Sequence, residues 1–146
     1  MSLKGALDAI RGRAETLWPS LEPEVPLLWR GDDNGHVVLD DPVNLHPWLL
    51  FEIKWNAAAS GFASIGSPQS NLARRYGAIW IHAFVPTGSG LGRAHELLDF
   101  AAGMFEGADF AGVICQAMEP EGEAESEDGA YDGQSAAVPF QFDDLK

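Results

Sequence analysis

One cysteine stands among the 146 residues, which excludes an internal disulfide and a zinc cage built on thiolates. That residue, Cys115 in FAGVICQAM, reads as a small buried hydrophobe. Positive charge is nearly as scarce: Lys and Arg total 9 against 22 Asp and Glu, a formal net charge of −13. Sequence-independent nucleic-acid binding works by neutralising phosphates with basic side chains, so a surface this acidic should repel DNA. No apolar run approaches the roughly 20 residues that cross a bilayer. The opening MSLKGALDAIRGR alternates apolar and polar residues instead of forming a signal-peptide core, and a cytoplasmic protein is expected.

What is present suits one globular domain over residues 1–146, with 46% hydrophobic and 21% charged residues. From Ser2 to Trp18, the residues Leu3, Ala6, Leu7, Ile10, Ala14 and Leu17 share a helix face, and Pro19 is expected to stop that helix. The proline-rich stretch to Pro47 predicts an extended connection with a short hairpin at DDNG. WLLFEIKW alternates as a strand with one buried side. NAAASGFASIGSPQSN predicts a loop or a weak strand at a sheet edge.

RRYGAIWIHAFVP is the best strand. Ile79, Ile81, Ala83 and Val85 face one way, and Trp80, His82 and Phe84 the other. Both sides are apolar, which predicts a central position covered on each face by helices or by a neighbouring subunit. A helix is expected from Leu91 to Phe105, its buried stripe Leu91, Ala94, Leu98, Ala101 and Phe105 widened by Leu97 and Met104. Phe110–Met118 predicts a further strand, residues 119–133 an acidic loop, and QSAAVPFQF a last strand whose Pro139 argues for an edge or a bulge. The expected class is α+β: a mixed or antiparallel sheet of about four to five strands, two main helices on one face, in the order α-β-β-(β)-α-β-β.

The chemical motifs are incomplete. GSGLGRAHE (Gly88–Glu96) follows a strand and opens a helix. A phosphate loop of the Walker type needs Lys and Ser/Thr after its last glycine, and here Arg93 and Ala94 stand there. A dinucleotide fingerprint needs G-x-G-x-x-G, and Gly88, Gly90 and Gly92 fall one residue short. A flexible strand-to-helix turn with Ser89 as N-cap is the preferred reading, and a small nucleotide-binding enzyme using Gly88–Arg93 is the alternative. HELLD (His95–Asp99) lacks the second histidine of a zinc-protease helix, and its polar residues read as a solvated face. His36, His46 and His82 are scattered, and His82 reads as a hydrogen-bonded core imidazole. No serine–histidine–acid triad with supporting context and no G-x-S-x-G elbow emerges. The acids Glu119, Glu121, Glu123, Glu125, Glu127, Asp128 and Asp132 lack the calcium-loop pattern. No catalytic, cofactor or metal residue is expected.

The block from RRYGAIWIHAFVPTGSGLGRAHELLDFAAGMFEG to AMEPEGEAESEDGAYDGQSAAVPFQFDD resembles the tail terminator proteins of long-tailed bacteriophages and phage-derived gene transfer agents. The likeness rests on Arg75, Tyr76 and Gly77 leading into an apolar strand that ends in Val85-Pro86. It continues in a glycine-rich turn into an Ala/Leu helix ending MFEG, and in a polar loop with Asp128, Gly129 and Tyr131 before VPFQF. The N-terminal helix matches as well, so the likeness covers nearly the whole chain.

The resemblance implies a homo-hexameric ring in the tail–neck region of a virion. Such a ring caps the finished tail tube, stops addition of tube protein and meets the head-completion proteins, while DNA passes through without specific binding. It implies no membrane and no cofactor. On this reading Phe62, Ile65, Arg74, Arg75 and Trp80 are expected at the subunit interface, the arginines against an acidic neighbour. Glu119, Glu121, Glu123, Glu125, Glu127 and Asp128 are expected to line the passage, with Asp32–Asp33 and Asp40–Asp41 as the alternative lining. Another neck ring of the same particle is the nearest rival.

Overall fold

The computed structural model describes residues 1–22, 24–32, 45–56, 61–62, 72–125 and 130–145. Among them the elements run α1 (Leu3–Leu21), β1 (Leu27–Trp29), β2 (Trp48–Trp55), β3 (Gly61–Phe62) and β4 (Leu72–Pro86). Then come α2 (Leu91–Gly103), β5 (Asp109–Phe110), β6 (Val113–Cys115), β7 (Glu119–Glu125) and β8 (Tyr131–Leu145). The strands form one mixed sheet in the order β1-β2-β4-β8-β6-β5, with β3 beside β4 and β7 beside β8. The fold is thus α+β, a mixed sheet with two helices.

The spine is a ribbon of two 15-residue strands, β4 and β8, paired antiparallel from Leu72↔Leu145 to Pro86↔Tyr131. On the other side of β4 lies β2, antiparallel from Trp48↔Phe84 to Trp55↔Gly77, and β1 runs parallel to β2. Alternation sorts the side chains. Ile79, Ile81, Ala83 and Val85 of β4, Leu49 and Phe51 of β2, and Ala136, Val138, Phe140 and Phe142 of β8 share one cluster with the helices. There α1 contributes Ala6, Ile10, Ala14 and Trp18, and α2 contributes Ala94, Leu97, Leu98 and Ala101. Each fully buried Leu, Ile or Phe contributes about 1.5–3 kcal/mol, so this face holds the domain together. Cys115 belongs to the cluster, and burial raises its thiol pKa to about 11.

Several expectations need correction. Pro19 does not end α1, which continues to Leu21. The Ser20 hydroxyl donates to the Leu17 carbonyl at 2.8 Å and the Glu22 amide to the Trp18 carbonyl at 2.9 Å, which satisfies the last turn around the proline. The cap of α2 is Gly90 at φ 90°, not Ser89: a positive φ is open to glycine and strained for serine. Leu91 is 42% exposed and outside the buried stripe. FAGVICQAM is not one strand. Ala111 and Gly112 both have positive φ, 49° and 86°, and turn the chain so that Phe110 pairs with Val113, a two-residue hairpin of the type such angles favour.

The acidic loop is in large part a strand. Glu119–Glu125 pairs with β8 from Ala137 to Asp132, and together with β3 and the split hairpin this raises the strand count. Glu, Pro and Gly are poor strand formers, but β8 offers a ladder that outweighs propensity. Finally, Pro139 lies in a central strand. Its carbonyl accepts from the Gln116 amide at 2.8 Å. Amide and carbonyl of an antiparallel residue point the same way, so the ring nitrogen faces the step between β6 and β7, where the ladder requires no donor. The DDNG turn lies outside the described residues apart from Asp32.

Candidate functional site

The second face of the sheet carries no helix among the described residues. Among the described residues, cover for its even-numbered β4 positions comes from neighbouring strands. At one end the cover is aromatic: Trp48 stacks on Phe84 at 4.3 Å and meets Tyr131 edge-on at 5.9 Å, with Leu28 and Leu50 beside them. Next to this cluster the face turns polar.

His82 is the hub. It sits directly opposite Ser135 on β8, and Nδ1 lies 2.6 Å from Ser135 Oγ. Nε2 lies 2.8 Å from Glu52 Oε1 on β2. A carboxylate only accepts, so Nε2 carries the proton toward Glu52, and in the neutral ring Nδ1 accepts from the Ser135 hydroxyl. The other Glu52 oxygen takes Arg30 Nε at 2.7 Å. Lys54 Nζ stands 3.9 Å from Glu52 Oε1 and 4.3 Å above the Trp80 ring. Two full cations thus share one carboxylate at this edge of the sheet.

The sequence alone points to no serine–histidine–acid arrangement; the structure brings one together from three strands. Its members are linked serine to histidine to acid, but Ser135 meets Nδ1 and Glu52 meets Nε2, the reverse of the catalytic triad. Access differs as well, since Ser135 is only 6% exposed on the flat of the sheet, and a nucleophile must reach a substrate carbonyl. What the chain does physically is satisfy three polar groups and tie β2, β4 and β8 by side chains as well as by the ladder. His82 is hydrogen-bonded as expected, but it is half-buried on the second face of the sheet and not part of the core. Glu52, Ser135, Arg30 and Lys54 were missed. The available signal was that His82 interrupts the apolar alternation of Trp80 and Phe84, and that Glu52 and Lys54 follow Trp48 and Leu50 on one face of β2.

Among the described residues expected at an interface, Phe62, Arg74 and Arg75 gather at the start of β4, and Trp80 lies further along the same strand. Trp80 lies at the centre of the open face. Arg74 is bidentate to Asp143 of its own chain, Nε at 2.8 Å and a terminal nitrogen at 3.1 Å, and this pairing holds the Asp143 carboxyl below its ordinary range. Arg75 Nε lies 3.6 Å from Asp144. Both arginines therefore already have an acidic neighbour within the chain. Phe62 pairs with Ala73 in β3, and Ile65 lies outside the described residues. Of the acids expected around a passage, Glu119, Glu121 and Glu123 are exposed on β7, Glu125 ends that strand, and Glu127 and Asp128 lie outside the described residues, as do Asp33, Asp40 and Asp41. Among the described residues no group of three His, Cys, Asp or Glu side chains could hold a metal ion, and no helix is long and apolar enough to cross a membrane.

The glycine-rich turn has its own electrostatics. Arg93, the residue a phosphate would meet, is held by Glu22 through two 3.0 Å hydrogen bonds and also contacts Glu96. Two carboxylates therefore occupy the guanidinium at this helix start, opposite to what an anion site requires. Hydrogen bonding from Arg93 keeps the Glu22 carboxyl below its ordinary value of 4.5. A carboxylate depressed on folding contributes stability above its unfolded pKa, and that contribution is lost as pH falls through the folded one. Arg93→Met should cost less than about 1 kcal/mol near neutral pH, because the pair is partly exposed. The gap to wild type should close on acidification below the ordinary carboxylate range. Thermal melts across that range check this, and a gap that stays constant contradicts it.

No protein-family model matches the chain, and no curated protein matches it. Its fold does match solved structures, 21 chains in all. One of these, whose name states no function, aligns with a TM-score of 0.58 at 12% identity, over 100% of this chain and 96% of that one. At that identity the likeness concerns the fold alone.

Proposed function

We propose that this chain is a subunit of a closed ring that caps the tail tube of a bacteriophage-type particle, ends tube growth and meets the head-completion proteins. DNA passes through the ring, and the protein acts by shape and charge in the tail–neck region of the virion. The reading rests on the resemblance of the sequence over nearly its full length. The observation that carries it in the structure is the β7 arm. Glu119, Glu121 and Glu123 project from a strand held by β8, so their charge is fixed in place rather than spread over a loop.

Fixed acid beside a passage suits transport of a polyanion. DNA binds proteins through cations that release its counterions; carboxylates raise the potential a phosphate must cross and prevent adhesion. The arm from Glu119 to Asp128 borders the passage on this reading, and Phe62, Ile65, Arg74, Arg75 and Trp80 lie toward the neighbouring subunits. The hexameric count comes from the resemblance. Replacing Glu121 and Glu123 together by lysine should leave ring assembly intact while slowing DNA ejection and lowering infectivity. Ejection at the wild-type rate from particles that carry the variant contradicts the lining role.

A further inference from the structure

Register places five residues in one row across the open face. Trp29 is level with Phe51, so Arg30, whose amide still donates to the Phe51 carbonyl at 2.9 Å, is level with Glu52. Glu52 pairs with Trp80, Trp80 with Ala137 and Ala137 with Glu119. Directly opposed residues point to the same side of a sheet, so Arg30, Glu52, Trp80, Ala137 and Glu119 share the helix-free face. A register shift between Pro120 and Gly122 then puts Glu123 opposite Gln134, on the helix side. Among the β7 acids with a register partner and a described side chain, Glu119 alone is on the open face.

The two ends of this row carry opposite charge. Arg30 is 64% exposed although its Nε pairs with Glu52 at 2.7 Å. Lys54 adds a second cation at the same edge against the single Glu52 carboxylate. Glu119 is exposed at the opposite edge, in a chain of net charge −13. We infer that copies of this chain join side by side with their open faces aligned, Glu119 of one copy against Arg30 of the next. Such a contact uses two different edges of the same molecule, which makes it heterologous and directional, and it closes into a ring when the rotation allows. The inference rests on the ring reading and names the contact that builds the ring. Glu121 and the acids beyond it keep the lining role.

The test uses the full chain, by native mass spectrometry and sedimentation of wild type, Glu119→Arg, Arg30→Glu and the double exchange. Wild type is expected to form a closed oligomer. Each single exchange sets like charges against each other and should raise the concentration needed for assembly by at least about tenfold. The double exchange should bring it back to within about threefold of wild type. Glu119→Arg disturbs no packed group, so its melting temperature should be that of wild type. It carries the test even where Arg30→Glu, which also strips Glu52 of a partner, fails to fold. Single exchanges that assemble as readily as a ring-forming wild type overturn the contact and leave the ring reading in place. A wild-type chain that stays a lone subunit at every concentration overturns both.

Discussion

Phe51→Ala lowers the free energy of unfolding by roughly 3–5 kcal/mol. Phe51 is fully buried in β2, opposite Ile81 of the spine. Its ring lies 5.1 Å from that of Trp29 and 6.2 Å from that of Phe105, so one side chain joins β1, β2 and the segment that follows α2. The cost combines the lost transfer of the ring from water with the cavity left behind. Relaxation cannot remove that cavity, because Leu49 and Ile81 are held by ladders on both sides. Urea unfolding followed by tryptophan fluorescence gives the difference directly. A loss below about 1 kcal/mol would mean that the core collapses around the gap, contrary to close packing around Phe51.

Gly77→Ala removes roughly 1–3 kcal/mol although it adds a single carbon. A Cβ at position 77 would stand 2.8 Å from Phe140 Cζ and 3.0 Å from the Lys54 carbonyl oxygen. Gly77 lies between Trp55 and Phe140 in the register, and those two rings meet over it edge to face at 5.6 Å. The ring can turn aside only by giving up that contact, and the carbonyl belongs to a paired strand and cannot yield. Thermal unfolding of the variant should show a lower midpoint with the fold retained. An unchanged midpoint would mean that the aromatic pair repacks freely.

The two faces of the sheet differ in how far they can be read from sequence. Ile79, Ile81, Ala83 and Val85 announce the helix-covered face, because strict alternation and the stripe of α2 are local signals. The polar row on the other face is not local. Glu52, His82 and Ser135 are separated by 30 and 53 positions, and only the β2–β4–β8 order brings them together. Glu119–Glu125 looks like a solvated loop by composition, and its strand is imposed by the free side of β8. Pro19 and Pro139 each break a local rule that their surroundings override: α1 closes its last turn beyond Pro19 through Ser20 and Glu22, and the Pro139 nitrogen faces a step where the ladder requires no donor. Charge was legible in total but not in placement. A net charge of −13 does not reveal that Arg30 and Lys54 crowd one edge, or that a bulge turns Glu119 and Glu123 to opposite faces.

Electron microscopy of tails assembled with and without this chain tests the central claim most directly, by the distribution of tube lengths. The account predicts tubes of one length, capped by a ring at the head-proximal end, when the chain is present, and overlong, uncapped tubes when it is missing. Tubes of normal length and normal joining to heads in its absence would contradict it.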